Sequence, residues 1–383
     1  MKTLVVIGTR PEAIKMAPLA RVLSRDKALS CRVAVTGQHP DLVPPILDFF
    51  EVPVHHNMSL ARSRQGLAHL HAGILDQMEA MIEQDRPDLV LVHGDTTSAL
   101  AAAEAAFYSG VPVGHVEAGL RSHNLRSPWP EEMNRIAIDQ LADLMFAPTE
   151  QARTNLLNEG RTDDTITVTG NTVVDALLWV CHKLDSDAAL TARIVATLPR
   201  LPDDRRIILV TTHRRENFGP PLARISQALH TLANRPDVCI VFPLHPNPEV
   251  GMRMKAFLAS HPFIILTHPL DYLPFVLLMR RAAVILTDSG GIQEEAPSVG
   301  TPVLVLRDLT ERPEALDSGA IRLVGTRTES IVEATSEILD ASSPTAPQPA
   351  GNNPFGDGKA CERICQTIKN WKSPGKKRKA PAR

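Results

Sequence analysis

The apolar residues of this chain fall mostly in short unbroken runs, separated by longer stretches in which Ala and Leu recur at helical spacing. "TLVVIGT", "RVAVTG", "PDLVLVHGD", "VPVGHVEAG" and "DLMFAPT" mark the first half; "RIILVTTH", "VCIVFPLHP", "FIILTHP", "AAVILTDSG" and "TPVLVL" mark the second. A strand with one wet face alternates apolar and polar positions. These runs do not alternate, so they predict strands buried on both faces, as parallel strands covered by helices are. The pattern predicts a doubly wound α/β protein with about ten strands, too many for one Rossmann-like unit and suited to two. The predicted boundary lies near "VTGNTVVD" (168–175), giving an N-terminal Rossmann-like domain over 1–170 and a C-terminal one over 171–356. The Pro-rich "SSPTAPQPAGNNP" (342–354) reads as a loop, residues 357–371 as a last helix, and 372–383 as a basic, solvated tail.

Composition narrows the function classes without adding to the fold. The 383 residues exceed one ordinary core, and 43% apolar with 22% charged residues is an average globular balance. A net charge of −2 gives no electrostatic argument for nucleic acid or an anionic membrane as a partner. The five cysteines (Cys31, Cys181, Cys239, Cys361, Cys365) form no CxxC pair, which suggests reduced thiols. No segment approaches the roughly 20 apolar residues of a membrane span, and "MKTLVVIGTRPEAIK" is too short an apolar run for a signal peptide. A cytoplasmic protein is expected.

Ligands of open α/β sheets bind beyond the carboxyl ends of the strands. At those positions the first half carries Gly8-Thr9-Arg10-Pro11-Glu12 with Lys15 a turn later, His93-Gly94-Asp95, and His115-Val116-Glu117, followed by "SPWPEEMNR" with Glu131. The second half carries His213-Arg214-Arg215-Glu216-Asn217, His245-Pro246-Asn247 and Asp288-Ser289-Gly290-Gly291. "GTRPE" fits neither GxGxxG nor GxxxxGK[ST], so a dinucleotide fingerprint and a P-loop are both excluded there. Taken singly, Arg10 and Lys15 could be solvated helix-start charges, and Asp95 could cap the helix that follows it. Together, three carboxylates (Asp95, Glu117, Glu131) and two cations at adjacent strand ends point to acid–base chemistry beside an anion. The histidines show no zinc or di-metal spacing, so no metal is expected.

"LTDSGGIQEEAPSVG" (286–300) adds an apparent contradiction. Ser289, Gly290 and Gly291 open a helix with small residues suited to phosphate, yet Glu294 and Glu295 follow within a turn. A nucleoside diphosphate reconciles the two, since its phosphates take the N–H groups and a carboxylate such as Glu295 accepts from both ribose hydroxyls. With no nicotinamide fingerprint, a nucleotide sugar is the expected ligand.

"GTRPEAIKMAPL", "HGDTTSALAAAEAAFYSGVPVGHVEAGLRS", "SPWPEEMNR", "TGNTVVDAL", "THRREN", "LTDSGGIQEEAPSVGTPVLVLRDLTERPEAL" and "NPFGDGKA" together resemble the bacterial non-hydrolysing UDP-N-acetylglucosamine 2-epimerases, from about residue 3 to residue 370. The resemblance implies two Rossmann-like domains facing a central cleft (the glycosyltransferase-B, or phosphorylase, architecture), with the last helix returning to the first domain. It also implies a homodimer, no NAD and no required metal. The implied reaction interconverts UDP-N-acetylglucosamine and UDP-N-acetylmannosamine through UDP elimination to a 2-acetamidoglucal and re-addition, feeding surface polysaccharide.

By resemblance, Asp95, Glu117, Glu131 and His213 are the catalytic positions. Arg10, Lys15, Asp95, Glu117, His213, Phe275, Ser289, Gly290, Gly291, Glu295 and Arg312 are the substrate-binding ones. Gln38, His39, Arg64, Glu131 and Arg214 match a second, activating UDP-N-acetylglucosamine site, although Pro40, Pro44 and Pro45 depart from the relatives' pattern beside it. Rival readings are a hydrolysing relative releasing free N-acetylmannosamine, an epimerase of a related UDP-diacetamido or uronic sugar, a glycosyltransferase on the same fold, and a non-catalytic sensor.

Overall fold

The computed structural model describes residues 1–60, 66–212, 217, 219–244, 254–310, 312–317, 319, 321–341 and 353–372. Among these, thirteen strands form two sheets whose pairings are all parallel. The first holds β1 (Lys2–Ile7), β2 (Ser30–Val35), β3 (His56–Asn57), β4 (Leu89–His93), β5 (Val113–Val116), β6 (Leu144–Ala147) and β7 (Ile166–Val168), in the order β3-β2-β1-β4-β5-β6-β7. The second holds β8 (Arg206–Thr211), β9 (Val238–Pro243), β10 (Ile264–Thr267), β11 (Ala282–Thr287), β12 (Val303–Val305) and β13 (Ile321–Leu323), in the order β10-β9-β8-β11-β12-β13. Each sheet reverses strand order beside its first strand, and that switch point is where ligands of doubly wound sheets bind.

The sequence pattern led to ten strands; β3, β7 and β13 are the additional ones. All three are two or three residues long and lie at sheet edges, so none needs the long apolar run that betrays a central strand.

The chain divides into two compact units, Met1–Ala176 with the stretch from Phe355, and Leu177–Pro354. The first unit's core lies between its sheet and helices, with Leu4, Val6, Val90, Val92 and the Ala-rich helix Thr97–Tyr108 at its centre. Nine of that helix's twelve residues are buried, six of them alanines, so its backbone packs closely on both sheet and neighbouring helix. In the second unit Ile208, Val210, Val284 and Leu286 of the sheet pack against Ile225, Leu229 and Ile331 of the flanking helices.

The helix Ala360–Asn370 belongs to the first unit. Asp175 accepts from Ala360 N (3.2 Å) and Cys361 N (2.8 Å), capping N–H groups that a helix start leaves unpaired. Lys369 meets Asp26 at 2.8 Å at the other end. The five cysteines are free thiols. Among the described residues no helix is long and apolar enough to cross a membrane.

Candidate active site

A cavity of about 440 Å³ opens in the first unit, where the loops after β1, β2, β4 and β5 converge. Lys15, Gln38, His39, Asp95, Glu117 and Glu131, all singled out from the sequence, line it together. Arg10 opens the helix that carries Lys15 but is not among the lining residues; its N–H points at His39 Nδ1 (3.4 Å).

Local sequence explains how the helix Arg10–Arg25 is aimed. Thr9 caps it and Glu12 closes a capping box, its Oε2 accepting from Gly8 N (3.0 Å) and Thr9 N (2.6 Å). Glu12 Oε1 also accepts from Thr96 Oγ1 (2.8 Å), which ties this helix start to the loop after β4. Burial pushes the Glu12 carboxyl above its ordinary range, with Thr96 and His93 opposing that. Glu12 therefore organises the cavity wall.

Lys15 reaches from the next turn to form an ion pair with Glu117 Oε2. Asn171 Nδ2 donates to the same oxygen at 2.7 Å. Burial pushes the Glu117 carboxyl up, but Lys15 and His93 more than offset this and hold it well below the usual carboxylate range. Glu117 is also one of the few non-glycine residues with positive φ (+67°), a backbone state that costs about 1–3 kcal/mol and persists where surrounding contacts fix it.

Asp95 is paired with Arg135, and Asn134 Nδ2 donates to the Asp95 carbonyl at 2.8 Å. Asp95 does not cap the helix Thr97–Tyr108; Thr96 does, accepting from Ala99 N at 3.0 Å. That removes the capping explanation for Asp95.

The helix Glu131–Leu141 divides its work by face. Glu131 lines the cavity, whereas the neighbouring Glu132 is fully buried and accepts from Ser122 N and His123 N, both at 2.8 Å. Glu132 thus holds the preceding loop. Asn134 and Arg135, three and four residues after Glu131, return to Asp95.

In the second unit Ser289 precedes the helix Gly290–Glu295. The guanidinium of Arg312 lies against Gly290, where a Cβ would sit 2.7 Å from Arg312 Cζ, so a side chain at this position would have to displace the guanidinium. Arg312 is fixed by Glu294, Nε to Oε1 at 2.9 Å and Nη2 to Oε1 at 2.8 Å. Glu295 instead accepts from Tyr272 Oη at 2.9 Å. Burial, then the Glu295 charge, pushes the Tyr272 hydroxyl well above its usual range, so it stays a donor. The two adjacent acids therefore differ in role: Glu294 is matched to a guanidinium, while Glu295 is oriented by a neutral hydroxyl. Phe275 lies half-buried one turn past Tyr272 on the helix Tyr272–Arg281. His213, Arg64 and Arg214 lie outside the described residues.

Several groups that shape these sites carry no role in the sequence reading. His93, at the end of β4, is 5% exposed in its side chain and lines the cavity with Nε2 unpartnered. At 3.7 Å from Glu117 Oε2 that nitrogen is beyond ordinary hydrogen-bond range. Its strand-end position was the available signal. Arg135 was signalled by its spacing from Glu131; Asn171 and Tyr272 carried no local signal. Among the described residues no group of three His, Cys, Asp or Glu side chains could hold a metal ion.

Two doubly wound parallel units, one with clustered carboxylates at its strand ends, place the chain among the two-domain Rossmann-type α/β proteins. The family model described as UDP-N-acetylglucosamine 2-epimerase matches residues 21–369, and the chain belongs to that family of isomerases. It is 50% identical to a probable UDP-N-acetylglucosamine 2-epimerase of Ralstonia solanacearum and 49% identical to the UDP-N-acetylglucosamine 2-epimerase of Yersinia pestis. Both alignments cover 97% of this chain and 99% of the relative. The crystal structure of the Neisseria meningitidis UDP-GlcNAc 2-epimerase bound to UDP-GlcNAc matches with a TM-score of 0.88 at 43% identity, covering 96% of this chain and 100% of that one.

Proposed function

We propose that this protein interconverts UDP-N-acetylglucosamine and UDP-N-acetylmannosamine, and that Asp95, Glu117 and Glu131 carry the chemistry. The supporting observation is the gathering of these three carboxylates and Lys15 around one cavity, in a chain about half identical to epimerases of this name.

The C2 hydrogen of the sugar neighbours no carbonyl, so it is not acidic in the ground state. Breaking the C1–O bond to UDP builds positive charge at C1 and acidifies C2–H. Loss of that proton leaves UDP and a 2-acetamidoglucal. Re-forming the C1–O bond, with a proton delivered to the opposite face of C2, completes the inversion. The two proton transfers occur on different faces, so a single fixed base cannot perform both.

Glu117, held low by Lys15 and His93, is a poor proton donor at neutral pH and suits the stabilisation of positive charge. Proton movement then falls to Asp95 and Glu131. Arg10 and Lys15 offer positive charge to a departing diphosphate, with His213 beside them by resemblance. Ser289, Gly290, Gly291 and Arg312 suit phosphate, Glu295 suits ribose hydroxyls, and Phe275 suits contact with the uridine moiety.

Gln38 and His39 line the same cavity and support a second, activating nucleotide-sugar site. Ser98 Oγ donates to Gln38 Oε1 at 2.6 Å, and Pro44 and Pro45 occupy the first turn of the helix Pro44–Phe49, where an N–H is not needed. The prolines therefore leave this region ordered.

Purified protein with UDP-N-acetylglucosamine is expected to yield UDP-N-acetylmannosamine with no free N-acetylmannosamine by liquid chromatography. Free sugar released with UDP would make it a hydrolysing enzyme, and no conversion would redirect the search to related UDP sugars. Started from UDP-N-acetylmannosamine alone, an activated enzyme shows a lag that a trace of UDP-N-acetylglucosamine removes. Immediate full-rate conversion would dismiss the second site.

A further inference from the structure

Behind the cavity lies a fully buried ionic cluster that the proposed chemistry does not use. His115, on β5 two residues before Glu117, has no exposed side-chain surface, and neither has Asp139. One ring nitrogen, Nε2, lies 2.7 Å from the carbonyl oxygen of Gly94, the residue before Asp95. The other, Nδ1, lies 2.6 Å from Asp139 Oδ1.

A carbonyl oxygen can only accept, so Nε2 carries a hydrogen. Asp139 Oδ2 already accepts from Arg121 Nη2 (2.7 Å) and Gly119 N (3.2 Å), so Asp139 is the ionised carboxylate and also only accepts. Nδ1 therefore carries a hydrogen too. Arg121 Nε and Nη2 also meet the two oxygens of the part-exposed Glu159 at 2.6 Å each.

The same cluster holds the loops that bear Asp95 and Glu117. Asp139 Oδ2 accepts from Gly119 N at 3.2 Å, two residues past Glu117, while His115 holds Gly94. Asp139 sits on the helix Glu131–Leu141, whose Asn134 and Arg135 grip Asp95.

We infer that His115 is a positioning residue, an imidazolium clamp that fixes the loops of Asp95 and Glu117 against the helix of Glu131 and so sets the spacing of the three carboxylates. This rests on the proposed reaction only for the roles of those carboxylates; the clamp itself is a statement about protonation and geometry. The facing charged groups are Asp139 and Arg121, with Glu159 behind them.

The test begins with the wild-type protein carrying nitrogen-15-labelled histidine. At pH 8 the His115 ring is expected to show hydrogens on both nitrogens, slow to exchange with solvent. The signal is assigned by its absence in His115→Gln or, should that variant not fold, by its displacement in Asp139→Asn. One unprotonated ring nitrogen at pH 8 would overturn the clamp.

Asp139→Asn, with its unfolding midpoint measured in parallel, is expected to lower kcat by about 10²-fold, the scale of a 1 Å misplacement, with KM within a few-fold of wild type. Wild-type kcat in that folded variant would also overturn the inference. If instead Asp95→Asn and Glu117→Gln kept full activity while the ring carried both hydrogens, the proposed reaction site would fall and the imidazolium assignment would stand.

Discussion

Asp95, Glu117 and Glu131 meet in one cavity, yet each is held differently, and the holding groups explain what each can do. Glu117 is surrounded by Lys15 and Asn171, Asp95 by Arg135, and Glu131 faces the cavity from the start of its helix. Asp95→Asn, Glu117→Gln and Glu131→Gln are each expected to lower kcat by about 10²-fold or more, the scale of acid–base groups for Asp95 and Glu131 and of charge stabilisation for Glu117, with UDP affinity by calorimetry little changed. Glu295→Ala is expected to behave oppositely, weakening UDP binding by about 1–3 kcal/mol through lost hydrogen bonds. Should UDP affinity collapse in the first three while turnover of bound substrate persists, they are binding residues. Asp95 and Glu117 were legible because each closely follows a buried strand, and Glu131 because it lies in the polar segment that leads into the next helix. Their partners were not: Asn171 is 54 residues from Glu117 in sequence, and only the closed sheet brings the two together. The same holds for Tyr272 and Glu295, 23 residues apart.

The strands that were legible are those buried on both faces, since continuous apolar runs such as "LVLVH" have no solvent-facing positions to break them. The edge strands β3, β7 and β13 left no such mark because each is only two or three residues long, too short for an apolar run to show. Between elements, close approach is enforced by glycine where the loop after β5 passes over the helix Glu150–Asn158. Gly119 has φ of +83°, and a Cβ there would lie 2.3 Å from the carbonyl oxygen of Ala152. Gly119→Ala is expected to cost at least about 1–3 kcal/mol in urea unfolding, the scale of a forced left-handed residue, and to lower kcat by loosening the loop. A variant within about 0.5 kcal/mol of wild type would mean that the loop is not constrained as described.

At the scale of the whole molecule, two units share one architecture but carry different chemistry. The first concentrates ionised and strained groups around its cavity, and the second presents a glycine-opened helix with Arg312 and Glu295 at the end of β11. Fold and family were readable from strand pattern and long motifs, whereas protonation states and inter-element clamps were not, because they arise only when distant segments are packed. The central claim, that C2 is inverted through elimination of UDP, predicts loss of the original C2 proton to a carboxyl that exchanges with solvent. Proton NMR of the reaction in deuterated water tests it most directly. The account predicts deuterium at C2 of the product, accumulating in recovered substrate as the reaction reverses. Product that retains its original C2 hydrogen would contradict it.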